Sequence, residues 1–154
     1  MYHRIGRVPK EATQQIKEVA EKVIWKRAVH GYFHGTVFES ELHHIKFLRD
    51  TFGDKPWVQQ FFLKIPPGGS IHKHVDRRQP ENVTYHIPIQ TNKKSKCLMH
   101  EPDEEFSLLT GSFYYVDRDR LHSSINEGKT DRIHLLIEVN KEGLPPNVAP
   151  PVDA

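Results

Sequence analysis

Three side chains of the metal-binding type lie two residues apart in the stretch I-P-P-G-G-S-I-H-K-H-V-D, which runs from Ile65 to Asp76: His72, His74 and Asp76. If they lie on a strand or its end, the two-residue side-chain period turns all three toward one face, where an imidazole and a carboxylate can grip a single ion. Redox-active iron is commonly held by two histidines and one carboxylate on one side, which leaves the opposite positions open to a co-substrate and oxygen. His74 and Asp76 supply two members of such a set. The third has to come from a strand distant in sequence but adjacent in space. His122, in D-R-L-H-S-S-I-N, is the best placed, because it follows the strand-like F-Y-Y-V and precedes a turn. Taken alone, His-x-Asp also describes a hydrogen-bonded surface pair, and His72 shares the presumed face as a rival ligand.

The elements that must carry these residues change character along the chain. Between Lys10 and Val29, Ile16, Val19, Ala20, Val23 and Ile24 recur at three- and four-residue spacing among Lys, Glu and Gln. That spacing predicts an amphipathic helix with Gly31 as its stop. A second, shorter helix is expected from Ser40, as its cap, through Leu42, Ile45, Phe47 and Leu48 to Gly53. From Trp57 the texture turns to short apolar runs: W-V-Q-Q-F-F-L-K-I, V-T-Y-H-I-P-I, K-C-L-M-H, S-F-Y-Y-V and R-I-H-L-L-I-E-V, most of them separated by turn formers. Such a succession predicts a sandwich or barrel over about 57–139, with the helical part, about 10–53, packed outside. After Val139 the four prolines of K-E-G-L-P-P-N-V-A-P-P-V-D-A predict a mobile or polyproline-like tail over 141–154.

Composition narrows the class of partner. A chain of 154 residues suits one domain, here 1–140, with a core that needs no disulfide. The 22 basic and 20 acidic residues are interspersed, so nothing marks a nucleic-acid or anionic-membrane footprint. A single cysteine, Cys97, fits a reducing compartment, and the absence of long apolar runs argues against a membrane span or a secretion signal; the expectation is a soluble, cytoplasmic protein. Of the 11 histidines, His3, His30, His34, His43 and His44 are read as ordinary solvated or hydrogen-bonded imidazoles.

Four blocks in order carry more than the spacing does: I-P-P-G-G-S-I-H-K-H-V-D, T-Y-H-I-P-I-Q-T-N, G-S-F-Y-Y-V-D-R-D-R-L-H-S-S-I-N and D-R-I-H-L-L-I-E-V. Over roughly Trp57 to Val139 the chain resembles the aspartyl/asparaginyl β-hydroxylases, cupin-type oxygenases dependent on iron(II) and 2-oxoglutarate. The resemblance implies a mainly β, double-stranded β-helix (jelly-roll) barrel. It implies His74, Asp76 and His122 as the iron ligands and Arg132 as the partner of the distal carboxylate of 2-oxoglutarate, for which a planar guanidinium fork suits. His86 would donate a hydrogen bond to the co-substrate. Thr84 stands where the family often has a second arginine, so either Arg132 works alone or Arg77 or Arg78 reaches in.

The implied reaction is hydroxylation of an amino-acid side chain, in a peptide or protein (Asp, Asn or Pro) or as a free amino acid, with O2 consumed and 2-oxoglutarate decarboxylated to succinate. Two other readings share the barrel: a non-catalytic cupin-like binding module, and an isomerase or hydrolase using zinc or manganese. Tyr85, Phe113, Tyr114 and Tyr115 are candidates for the pocket wall, and Ser124, Asn126 and His134 for support of ligands or substrate.

Overall fold

A computed structural model describes residues 2–28, 31–76, 79–117 and 119–150. Two antiparallel sheets face each other. The larger has seven strands in the order β1 (Tyr2–Arg7), β9 (Ser112–Val116), β6 (Asn82–Gln90), β11 (Arg132–Asn140), β4 (Gln59–Ile65), β3 (Phe33–Thr36) and β2 (Trp25–Arg27). The smaller has four: β5 (Ser70–His74), β10 (His122–Asn126), β7 (Ser95–Met99) and β8 (Glu104–Phe106). The expected β barrel with helices outside is what forms. No helix among the described residues is long and apolar enough to cross a membrane.

Alternation along the central strands of the large sheet separates a core from a site. On β6 and β11, Val83, Tyr85, Ile87, Ile89, Leu135, Ile137 and Val139 point outward into a core completed by Ala12, Ile16 and Ala20 of the first helix, α1 (Lys10–Ala20). Leu42 of α2 (Glu39–Leu42), then Leu48 and Phe52 of α3 (Lys46–Phe52), close the same core. Residues of the other parity, such as His86, Arg132, His134 and Leu136, turn inward between the sheets. There a smaller apolar cluster of Tyr2, Cys97, Met99, Leu108, Tyr114 and Val116 fills one side and leaves the other open. Pro88, which has no N–H for the ladder, sits where the β6–β11 register shifts between Ile133 and His134.

The helices are shorter than their periodicity suggests. α1 ends at Ala20 rather than near Val29, with closing bonds from Lys22 to Val19 and from Val23 to Ala20. The β-branched and aromatic V-I-W that follows leads into edge strand β2, and Ile24 is left exposed. Gly31 is therefore no helix stop; it lies in the β2–β3 connection with φ +86°. The second helix is split into α2 and α3, and the backbone N–H of Phe38 is satisfied by the Glu41 carboxylate at 2.7 Å, so Ser40 is not the cap. Gly53 does end α3, with φ +84°.

The proline-rich segment also departs from the mobile form expected of it. As far as residue 150 it makes two short 3-10 turns, Lys141–Gly143 and Pro146–Val148, and Val148 is buried in the helix-side core. The Tyr85 hydroxyl donates to the Val148 carbonyl, which ties the segment to β6. Residues 151–154, like Arg77 and Arg78, fall outside the described residues.

Candidate metal and co-substrate site

Antiparallel pairing of β5 with β10 sets His74 directly opposite His122, 48 residues away in sequence, with ring centroids 4.3 Å apart. Asp76, just past the end of β5, reaches both: Oδ1 lies 3.4 Å from His74 Nε2 and Oδ2 lies 3.4 Å from His122 Nε2. Each ring is oriented from behind. His74 Nδ1 is 2.7 Å from the carbonyl of His72, and His122 Nδ1 is 2.8 Å from the carbonyl of Arg120. A carbonyl only accepts, so both Nδ1 atoms carry hydrogen and both Nε2 atoms are left to face the carboxylate. Arg120 is itself anchored, to Glu104 at 3.1 Å and to the Pro102 carbonyl at 3.2 Å.

The ligand atoms of His74, Asp76 and His122 lie within 4.8 Å of one another, close enough to serve one ion. Burial works against the Asp76 charge, but hydrogen bonds from His122 and His74 and their charge outweigh it and hold the carboxyl well below the usual carboxylate range. His74 is raised above its ordinary value, chiefly by its hydrogen bond to Asp76, against the opposing effect of burial. With both Nδ1 atoms carrying hydrogen, two Nε2 lone pairs and the ionised carboxylate form a donor set that could hold one divalent cation. His72 contributes its carbonyl to the orientation of His74 and lines the cavity, but it lies outside the metal-binding cluster.

A cavity of about 380 Å³ opens beside these residues, between the two sheets. Arg132 enters it from the facing sheet, at the start of β11, and His86 enters from β6. Arg132 is only 2% exposed, and its terminal Nη1 is buried with no hydrogen-bond partner among the described residues. A buried cationic donor left over in this way is expensive unless an anion meets it. The fit is good on both counts: a donor set for a divalent ion on one sheet, and an orphaned guanidinium nitrogen for a carboxylate on the other.

Sequence order alone did not foresee the rest of the wall. Thr84 is buried on β6, in register with Glu138, and does not line the cavity. Tyr85 and Phe113 lie in the helix-side core with Tyr115 packed against it, and Tyr114 belongs to the inner cluster, its hydroxyl accepting from Leu109 N–H at 3.1 Å. The aromatic residues on the wall are instead Tyr2, Tyr32 and Phe61, with His34 stacked on Phe61 at 4.9 Å. The alternation F-F-L in β4 carried a signal for Phe61, since it opposes core residue Phe62. Nothing local marked Tyr2, whose strand is interrupted by a register shift between Arg4 and Gly6. Ser124 does line the cavity, whereas Asn126 turns away to pin backbone.

Two facing antiparallel sheets, a two-histidine, one-carboxylate cluster and a buried arginine opposite it define a cupin-type fold with an oxygenase-like site. The family model described as Aspartyl/Asparaginyl beta-hydroxylase matches residues 6–142, and the chain belongs to this family of 2-oxoglutarate-dependent hydroxylases. Solved structures share its fold. HygX from Streptomyces hygroscopicus, with nickel and 2-oxoglutarate bound, superposes with a TM-score of 0.69 at 6% identity, over 89% of this chain and 81% of that one. AviO1 from Streptomyces viridochromogenes Tue57 gives 0.69 at 15% identity, over 97% and 92%. A Pseudomonas putida prolyl-4-hydroxylase gives 0.60 at 12% identity, over 90% and 91%. No curated protein sequence matches the chain.

Proposed function

We propose that the protein is an iron(II)- and 2-oxoglutarate-dependent dioxygenase that hydroxylates an amino-acid side chain, free or within a peptide, and releases succinate. The observation that carries this reading is the pairing of the His74–Asp76–His122 cluster with the orphaned Nη1 of Arg132 across one cavity. Family membership supports the substrate class. Iron and 2-oxoglutarate together supply the oxidising power that an unactivated C–H bond requires.

The chain's own residues bind, orient and exclude water. His74, Asp76 and His122 hold the ion through two Nε2 atoms and a carboxylate, and the carbonyls of His72 and Arg120 keep both rings turned toward it. Arg132 takes the distal carboxylate of the co-substrate, and His86 offers it a hydrogen bond from the next strand. Arg132 is the cation for that carboxylate among the described residues that line the cavity. Phe61, Leu63, Ile71 and Leu136 give the cavity apolar lining on the remaining sides.

Alanine at His74, Asp76 or His122 should abolish binding of Mn(II), used as a redox-inert probe, and stop succinate formation, while far-UV circular dichroism stays that of the parent. Succinate formation that survives loss of His74 or His122 would sink the proposal.

A further inference from the structure

Arg132 is held from behind by a residue that takes no place on the cavity wall. His134, two positions along β11 and 1% exposed, places Nε2 at 3.0 Å from Arg132 Nε and Nδ1 at 2.7 Å from Arg132 Nη2. Cys97 Sγ lies 3.7 Å from the same Nη2. Nη1 is left over, buried and without a hydrogen-bond partner among the described residues. His134 also reaches the other co-substrate neighbour, since its Nδ1 lies 3.2 Å from His86 Nδ1. Arg132, His134 and His86 thus form a chain whose two ends line the cavity and whose middle does not.

A guanidinium has donors and no acceptor, so the ring that serves it must offer a lone pair, and a neutral imidazole has one. Nε2 accepts from Arg132 Nε–H, Nδ1 carries the hydrogen on the side of His86, and Nη2 donates to Cys97 Sγ. Burial, followed by the charge of Arg132 and the nearness of His86, holds the His134 imidazole well below its ordinary value, and that lone pair is therefore kept. An imidazole and a thiol sulfur hold the arginine without cancelling its charge. Arg132 is fixed in place while its charge remains for a ligand. An apolar residue at position 134 would fill the space at less desolvation cost, and packing alone gives no reason for a histidine.

We propose that His134 is the positioning residue of the co-substrate site: it fixes the Arg132 guanidinium so that Nη1 meets the distal carboxylate of a 2-oxo dicarboxylic acid, and it ties His86 to the same arrangement. The proposal rests on the 2-oxoglutarate reading above. It makes His134, with Arg132, responsible for affinity toward the dicarboxylate and gives it no part in metal binding, which belongs to the other sheet.

Three variants test it: H134L, which removes every polar atom, H134N, whose amide is too short to reach the guanidinium, and H134Q, whose longer amide can accept from it. The first readout uses metal-free protein and follows the Arg132 Nε–H resonance by nitrogen-15 NMR, assigned by its loss in R132K. The parent and H134Q should show slowed hydrogen exchange at this group, and H134L and H134N rapid exchange. The second is anaerobic calorimetry of 2-oxoglutarate on Mn(II)-loaded protein. H134L and H134N should weaken binding by about tenfold or more, as expected for a hydrogen bond to a charged group, with Mn(II) affinity unchanged and H134Q close to the parent.

Parent-like 2-oxoglutarate affinity in folded H134N or H134L would overturn the proposal, as would rapid exchange at Arg132 in the parent. If the parent binds no 2-oxoglutarate while the exchange pattern holds, the failure lies with the proposed function, and the dicarboxylate role of His134 falls with it. If H134L does not fold, H134N and H134Q decide the matter.

Discussion

On the proposed reading Arg132 answers for an anion and the His74–Asp76–His122 cluster for a cation, and they sit on different sheets, so the two binding functions should fail separately. Arg132→Ala should weaken 2-oxoglutarate by about 10- to 100-fold, the range for losing hydrogen bonds to a charged partner, and leave Mn(II) affinity as it was; titration calorimetry of each ligand checks both. His134 adds a pH signature of its own. It is held neutral in the fold by burial, whereas in the unfolded chain a histidine takes up a proton below about 6.5. Below that pH the unfolded state binds more protons, so stability falls as pH falls. Urea melts at pH 5 and pH 7.5 should show this loss in the parent, and a smaller loss in H134Q.

At the level of elements, the site depends on turns that hold strand ends in register. Asn126, fully buried at the end of β10, donates to the carbonyls of Ile65 and Thr130, each at 2.8 Å, and its Oδ1 accepts from Gly128 N–H at 3.0 Å. One side chain thereby joins β10 to the end of β4 and to the turn before Arg132. Asn126→Ala leaves a buried carbonyl without its donor and should cost about 1–3 kcal/mol, measured by urea denaturation. The turn before β5 is held as closely. Gly69 lies against the Gly31 connection, and a Cβ at Gly69 would stand 2.4 Å from the Gly31 carbonyl oxygen. Gly69→Ala should therefore displace the turn that leads into the His74 strand, read out as weaker Mn(II) binding in a chain that still folds.

For the whole molecule, the helices and the segment after β11 cover the outer face of the large sheet, and the inner face is left for chemistry. Val148 closes this cover, and the Tyr85 hydroxyl holds its carbonyl. A chain truncated after Leu144 should lose about 2–4 kcal/mol, the sum expected for burial of one valine side chain and one buried hydrogen bond, with the urea midpoint as the measure.

Much of this was legible in the residues themselves. The period-two alternation of V-T-Y-H-I-P-I and R-I-H-L-L-I-E-V fixes which side chains of β6 and β11 share a face, because a strand turns successive side chains to opposite sides wherever it lies. The two-residue spacing of His74 and Asp76 marked them as a pair, the position of His122 after F-Y-Y-V marked the third ligand, and the order of the four blocks pointed to Arg132 and His86. Sequence could not decide what depends on partners remote in the chain. Val23 and Ile24 continue a helical spacing, yet pairing with Gly35 and its neighbours makes Trp25 to Arg27 a strand. Tyr2, Tyr32, His34 and Phe61 line the cavity only because β1 to β4 close around it. His134 in sequence is one more inward-facing residue; only the folded chain, by burying it between Arg132 and His86, gives its lone pair a partner.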